Sequence, residues 1–220
     1  MNSGALTKDR LKFLFGGIES NMMEVMDVDA LLAARIRALR KARGMTLEQL
    51  AEQSGVSRSM ISLIERQETS PTAAVLNKLA DALGVSLPTL LAVEPEGSPP
   101  VPLSLRAQQP VWTDPSSGYV RRHLSPVGVA SPIELVEVTF PPGETVVFEN
   151  PVRKLGIHQQ LWLLQGVMDI TLNERTWRLE TGDCLAVELG ARITFHNPAK
   201  KPARYVLALT GSTDLSQKPT

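Results

Sequence analysis

Between Thr46 and Arg66 the chain gathers side chains suited to phosphate and base-edge chemistry: Thr46, Ser57, Arg58, Ser59, Ser62 and Arg66. A guanidinium bridges guanine O6 and N7, and hydroxyls bond phosphate oxygens. No carboxylate interrupts the run from Ser57 to Ile64, so nothing within it repels a polyanion. Arg35, Arg37, Arg40, Lys41 and Arg43 crowd the stretch just before it. The formal net charge of the whole chain is +0, so the basic character is local, and a local footprint is what phosphate contact needs. A basic cluster alone also fits a solvated helix face, so the elements that carry it have to be read next.

From 29 to 93 the apolar period is helical. Leu32, Ile36 and Leu39 mark one face of a first helix that Gly44 ends. Thr46 and Gln49 form a Thr-x-x-Gln capping box, opening a second helix that buries Leu47, Leu50 and Ala51. Gly55 and Val56 predict a tight turn, after which Ser57 caps a third helix carrying Ile61 and Ile64. A fourth starts at Thr72, with Val75, Leu76, Leu79, Ala80 and Leu83 on one stripe ended by Gly84; Ser86 caps a fifth, with Pro88 in its first turn. A plain helical bundle accounts for these apolar positions. It does not account for an exposed helix start rich in hydroxyls and free of acid.

On these residues the segment resembles the phage-repressor-like, or XRE, family of helix-turn-helix proteins. Arg40, Leu50-Ala51, Gly55-Val56-Ser57, Ile61, Ile64-Glu65, Pro71, Leu79-Ala80 and Leu83-Gly84-Val85-Ser86 all fall on the family's pattern. The resemblance implies a five-helix, lambda-repressor-like domain that binds a double-stranded DNA operator. It further implies that Arg40 pairs with Glu65 structurally. It directs Arg58, Ser59 and Ser62 towards base edges, and Ser57 and Thr46 towards phosphates. Arg58 stands open between base and phosphate contact, while Arg66, Arg43 and Lys41 suit backbone contact or a solvated surface. One such domain is a small interface, so a homodimer on half-sites about 34 Å apart is expected.

Composition divides the rest. Residues 1–28 read as a loosely ordered arm, or as the product of a misplaced start, given Met22, Met23 and Met26. Residues 94–110, with prolines at 95, 99, 100, 102 and 110, read as a linker, and 211–220 as a disordered tail. Residues 111–210 carry short β-branched segments at 133–140, 145–148, 158–164, 167–172 and 205–209, separated by turn signals. The fold class expected is therefore multidomain, all-α followed by all-β. No run approaches the ~18 apolar residues of a membrane helix, and a single cysteine, Cys184, fits a reducing cytoplasm. That cysteine reads as a small buried hydrophobe, and Trp162 and Phe195 as core.

Leu161–Gly166, Leu179–Asp183 and Asn197-Pro198 resemble the cupin superfamily, which implies a jelly-roll (double-stranded β-helix) barrel that binds an effector and dimerises. Metal-binding cupins supply histidines and a glutamate. Here the matching slots fall on Gln159, on Ile193 and among Arg153, Lys154 and Leu155, so neither a metal nor another cofactor is expected. His158 and His196 sit at odd offsets from those slots, on the opposite strand face; with His123 they read as surface or locally bonded residues. Arg153, Leu155, Gln159 and Ile193 are instead expected to form an effector pocket for a carboxylate or other small anion, with a surface loop the alternative place for Arg153. The function expected is a ligand-sensing transcription regulator and not an enzyme. Two alternatives are a metal-dependent enzyme of the phosphonate-epoxidase type and an antitoxin-like DNA-binding protein.

Overall fold

The computed structural model describes residues 28–91, 101–129, 131–149, 158–188 and 192–210. Five helices come first: α1 (Val28–Ala42), α2 (Leu47–Ser54), α3 (Arg58–Glu65), α4 (Ala73–Ala82) and α5 (Leu87–Leu91). Their starts follow from capping. Thr46 Oγ1 accepts from the Gln49 amide at 3.1 Å while Gln49 Oε1 accepts from the Thr46 amide at 2.8 Å. Ser57, Thr72 and Ser86 each accept the amide three residues on. Gly55 takes the left-handed conformation, φ 66°, that lets the chain leave α2 and enter α3 within three residues. Leu32, Ile36, Leu50, Ile61, Ile64, Leu76, Leu79 and Leu83 are buried together. At about 1.5–3 kcal/mol for each such side chain, this core fixes the angle at which α3 is presented.

The β-domain departs from the expected closed jelly-roll. Its strands are β1 (Val111–Thr113), β2 (Val120–His123), β3 (Ile133–Phe140), β4 (Thr145–Glu149), β5 (His158–Gln165), β6 (Val167–Leu172), β7 (Arg175–Glu180), β8 (Cys184–Glu188), β9 (Arg192–His196) and β10 (Ala203–Thr210). They form two antiparallel sheets, a six-stranded one in the order β1-β2-β3-β10-β5-β8 and a four-stranded one in the order β4-β9-β6-β7. Both are open, so the barrel expectation is corrected to two sheets packed face to face. Side chains join them: Phe195 on β9 stacks on Tyr205 of β10 at 6.2 Å between ring centres. An alternating apolar face serves a sandwich and a barrel equally well, which is why sequence pattern could not separate them.

Three further expectations change. Cys184 is exposed on an edge strand rather than buried, and Trp162, paired with it across β5 and β8, is 54% exposed rather than core. His123 is buried, and its Nδ1 has no hydrogen-bond partner. Phe195 is core as expected.

Two carboxylates of the β-domain hold the helical domain. Asp114 accepts from the Ala73 amide at the start of α4, at 2.8 Å, and from Ser117. Glu134 on β3 accepts from the hydroxyls of Ser86 and Thr89 around the start of α5, each at 2.6 Å. Both acids meet the amide-rich, partially positive end of a helix.

Candidate nucleic-acid interface

The candidate surface is built on α3 and steadied from α1 and α2. Glu65, at the end of α3, is buried, its side chain 5% exposed. Arg40 on α1 grips it with two parallel bonds, Nε to Oε1 at 2.6 Å and Nη2 to Oε2 at 2.8 Å. A third bond runs from Arg40 Nη1 to the Met45 carbonyl at 2.9 Å. Arg37 donates to the Glu65 carbonyl at 2.6 Å and lies 3.5 Å from its carboxylate. The carboxylate bond is the first cause holding the Arg40 guanidinium above its ordinary pKa. The pair ties the far end of α3 to α1 and leaves the near end free to face outwards.

At that near end Ser57, Arg58 and Ser59 are exposed, and Ser62 follows one turn on, half-buried. Ser57 Oγ caps the Met60 amide and lies 3.1 Å from Ser59 Oγ. Arg66 closes the helix, exposed, donating from Nη1 to Ser62 Oγ at 2.8 Å. Thr46 is exposed at the start of α2, its hydroxyl engaged in the capping box. Of the six residues that the family likeness directs towards DNA, Thr46, Ser57, Arg58, Ser59 and Arg66 are exposed and Ser62 is half-buried.

Two neighbours escape sequence reasoning. Glu48 forms an ion pair with Arg58 across the α2–α3 turn, and Glu68 pairs with Arg66 at 2.6 Å. Each carboxylate lies below its ordinary pKa. For Glu48 the first cause is a bond to its own backbone amide, and for Glu68 it is the Arg66 guanidinium. Glu48 lies ten residues before Arg58 on another helix, so only the folded turn shows the contact. Met60, 36% exposed among the serines, adds an apolar group of the kind that contacts a thymine methyl.

The expected effector slots are only partly described. Gln159 is buried on β5, its Nε2 without a partner, and Ile193 is buried on β9 of the opposing sheet. Arg153 and Leu155 lie outside the described residues, as do residues 1–27, 92–100 and 211–220. His158 is exposed, and His196 Nδ1 lies 2.9 Å from Thr145 Oγ1 and 3.1 Å from the Glu144 carbonyl. Among the described residues no three of His, Cys, Asp and Glu are grouped to hold a metal ion. No described helix is long and apolar enough to cross a membrane.

The chain is similar to known helix-turn-helix proteins. The helix-turn-helix family model HTH_3 matches residues 36–90. The chain is 28% identical over 163 residues to the HTH-type transcriptional regulator SutR of Escherichia coli (strain K12), covering 74% of this chain and 84% of that protein. It is 42% identical over 66 residues to the control protein C.SmaI of Serratia marcescens, covering 30% of this chain and 79% of the relative. The crystal structure of an HTH_3 family transcriptional regulator from Vibrio cholerae shares the fold, with a TM-score of 0.69 at 24% identity over 83% of this chain and 96% of that one. The chain thus belongs to the XRE, phage-repressor-like family of helix-turn-helix DNA-binding regulators.

Proposed function

We propose that the protein is a sequence-specific transcription regulator whose β-domain responds to a small molecule without a metal. The observation that carries the reading is the start of α3, where Ser57, Arg58 and Ser59 are exposed, Ser62 follows one turn on, and the helix itself holds no acid before Glu65, which anchors the other end. The N-terminal turn of such a helix enters the major groove with its amides and hydroxyls towards phosphate. Arg58 reads a base edge there and Arg66 follows the backbone. One reader covers only a few base pairs, so two copies related by a two-fold axis bind half-sites about one helical turn apart. A ligand in the β-domain alters operator affinity only as far as it binds two arrangements of that dimer unequally.

Selection from random duplex oligonucleotides, at moderate salt, tests this. The expected result is a two-fold-symmetric consensus recovered by the wild type. Arg58→Ala should relax one position in each half-site by about 1–3 kcal/mol, or 5- to 150-fold. Recovery of no preferred sequence by the wild type, at low and moderate salt alike, would sink the reading.

A further inference from the structure

Tyr119, Arg121 and His123 occupy alternate positions along β2 and its lead-in, so their side chains share one face. All three are buried, Arg121 and His123 to 7% exposure and Tyr119 to 2%. Register sets Arg121 between Trp112 on β1 and Val138 on β3, both also buried, with Tyr205 of β10 beyond Val138. Arg121 Nε and His123 Nδ1 have no hydrogen-bond partner, and the Tyr119 hydroxyl has none beyond the neighbouring Arg121 guanidinium. Among the described residues no carboxylate lies within ion-pair distance of the Arg121 guanidinium. Its neighbour Arg122 turns the other way and lies 3.5 Å from Glu137.

A buried guanidinium without a counter-ion is costly, and native interiors keep few such groups. Arg121 Nε can only donate, so its missing partner is an acceptor. The fork of Arg121 suits a planar anion. Burial, the first cause in each case, holds the Tyr119 and Tyr205 phenols above their ordinary pKa and His123 below its own. Asp114 and Glu134 act on Tyr119 and His123 from the rim of the cluster, so Arg121 is the cation that an anion would meet there. Tyr119 stacks on Phe140 at 5.7 Å and meets Trp112 edge-on at 5.9 Å, giving the anion an aromatic surround.

We infer that Tyr119, Arg121 and His123 form the binding site for a small organic monocarboxylate. The inference rests on the reading of the β-domain as a sensor and places the ligand on β2, three strands from Gln159 in the same sheet. Glu134, which takes the Ser86 and Thr89 hydroxyls, is two residues before Val136, the partner of His123. The site therefore adjoins the contact through which the helical domain is held.

Thermal melting and calorimetry of the full chain test it, with acetate, pyruvate and benzoate as probes and acetamide and benzamide as neutral controls at constant ionic strength. At least one acid should raise the wild-type midpoint saturably, and neither amide should. Arg121→Met should melt no lower than the ligand-free wild type and bind that acid about 30-fold or more weakly; Gln159→Leu should keep the response. The inference is overturned if no acid binds, if Arg121→Met responds like the wild type, or if Arg121→Met is strongly destabilised, which makes the guanidinium structural. Operator selection run beside it fails only if the regulator reading itself is wrong.

Discussion

Arg40 and Glu65 offer the sharpest test of how the reading helix is held. Two bonds of 2.6 and 2.8 Å join side chains that are 12% and 5% exposed, so most of the solvation of both charges has been given up. A buried pair of this kind adds little over a well-packed apolar pair, whereas breaking it strands a charge at about 3–5 kcal/mol. The two single changes are not equal. In Arg40→Met the Glu65 carboxylate keeps Arg37 at 3.5 Å, so the loss lies near 3 kcal/mol. In Glu65→Gln two guanidiniums face each other with one neutral acceptor between them, and the loss lies near 5 kcal/mol. For a domain pair of this size these losses lower the melting midpoint by roughly 6–20 °C. The double change Arg40→Met with Glu65→Leu should recover most of the loss. Urea unfolding followed by circular dichroism measures all three. Single-variant losses under 1 kcal/mol, or losses that simply add in the double variant, would refute the argument that an uncompensated charge is the cause.

Glu48→Gln should raise affinity for any duplex several-fold and steepen the salt dependence, because Arg58 then meets DNA without an internal competitor; titrations at several salt concentrations read both. Gly166→Ala should cost about 1–3 kcal/mol, since φ is +91° and a Cβ would stand 3.0 Å from Ala203 Cα and 3.2 Å from the Pro202 carbonyl; denaturant melts check it. Burial, opposed by Glu134 and aided by Arg121, holds His123 below its ordinary value of 6.5, so the unfolded chain takes up a proton that the folded one resists. Its contribution to stability is complete above about pH 6.5 and declines as pH falls through the folded value, and His123→Gln should flatten the melting midpoint across that acid range. Asp114→Ala should cost about 1–2 kcal/mol by freeing the Ala73 amide, visible as earlier amide exchange in α4 than elsewhere in the helical domain.

The helical half was legible because its signals are local. A capping box at Thr46, hydroxyl caps at Ser57 and Thr72 and a left-handed Gly55 each act within four residues, and the structure draws its helices from them. The Arg40–Glu65 contact spans 25 residues and came from family likeness. The β-domain hid more. Whether a sheet closes depends on which edges pair at long range, and β1, β2, β8 and β9 are short, with weak alternation in composition. Trp162 was misjudged because an aromatic in an alternating strand looks the same on either face until register is known. Arg121 gave no sign of its setting, since a basic residue in a polar run reads as solvated until a sheet covers it.

Coupling between the two halves rests on geometry that neither half fixes alone. Asp114 follows β1 directly, and Glu134 lies near the start of β3, yet both terminate on helix starts in the reader. A hydrogen bond weakens steeply once its angle drifts, so small displacements of β1 to β3 act on α4 and α5. Because α1 to α5 share one buried core, a displacement of those two helices is expected to carry α3 with it. In a dimer that reads two half-sites, a rotation of each reader changes the spacing between recognition helices. On the proposed reading, a ligand seated beside β2 would not have to approach DNA to alter its grip.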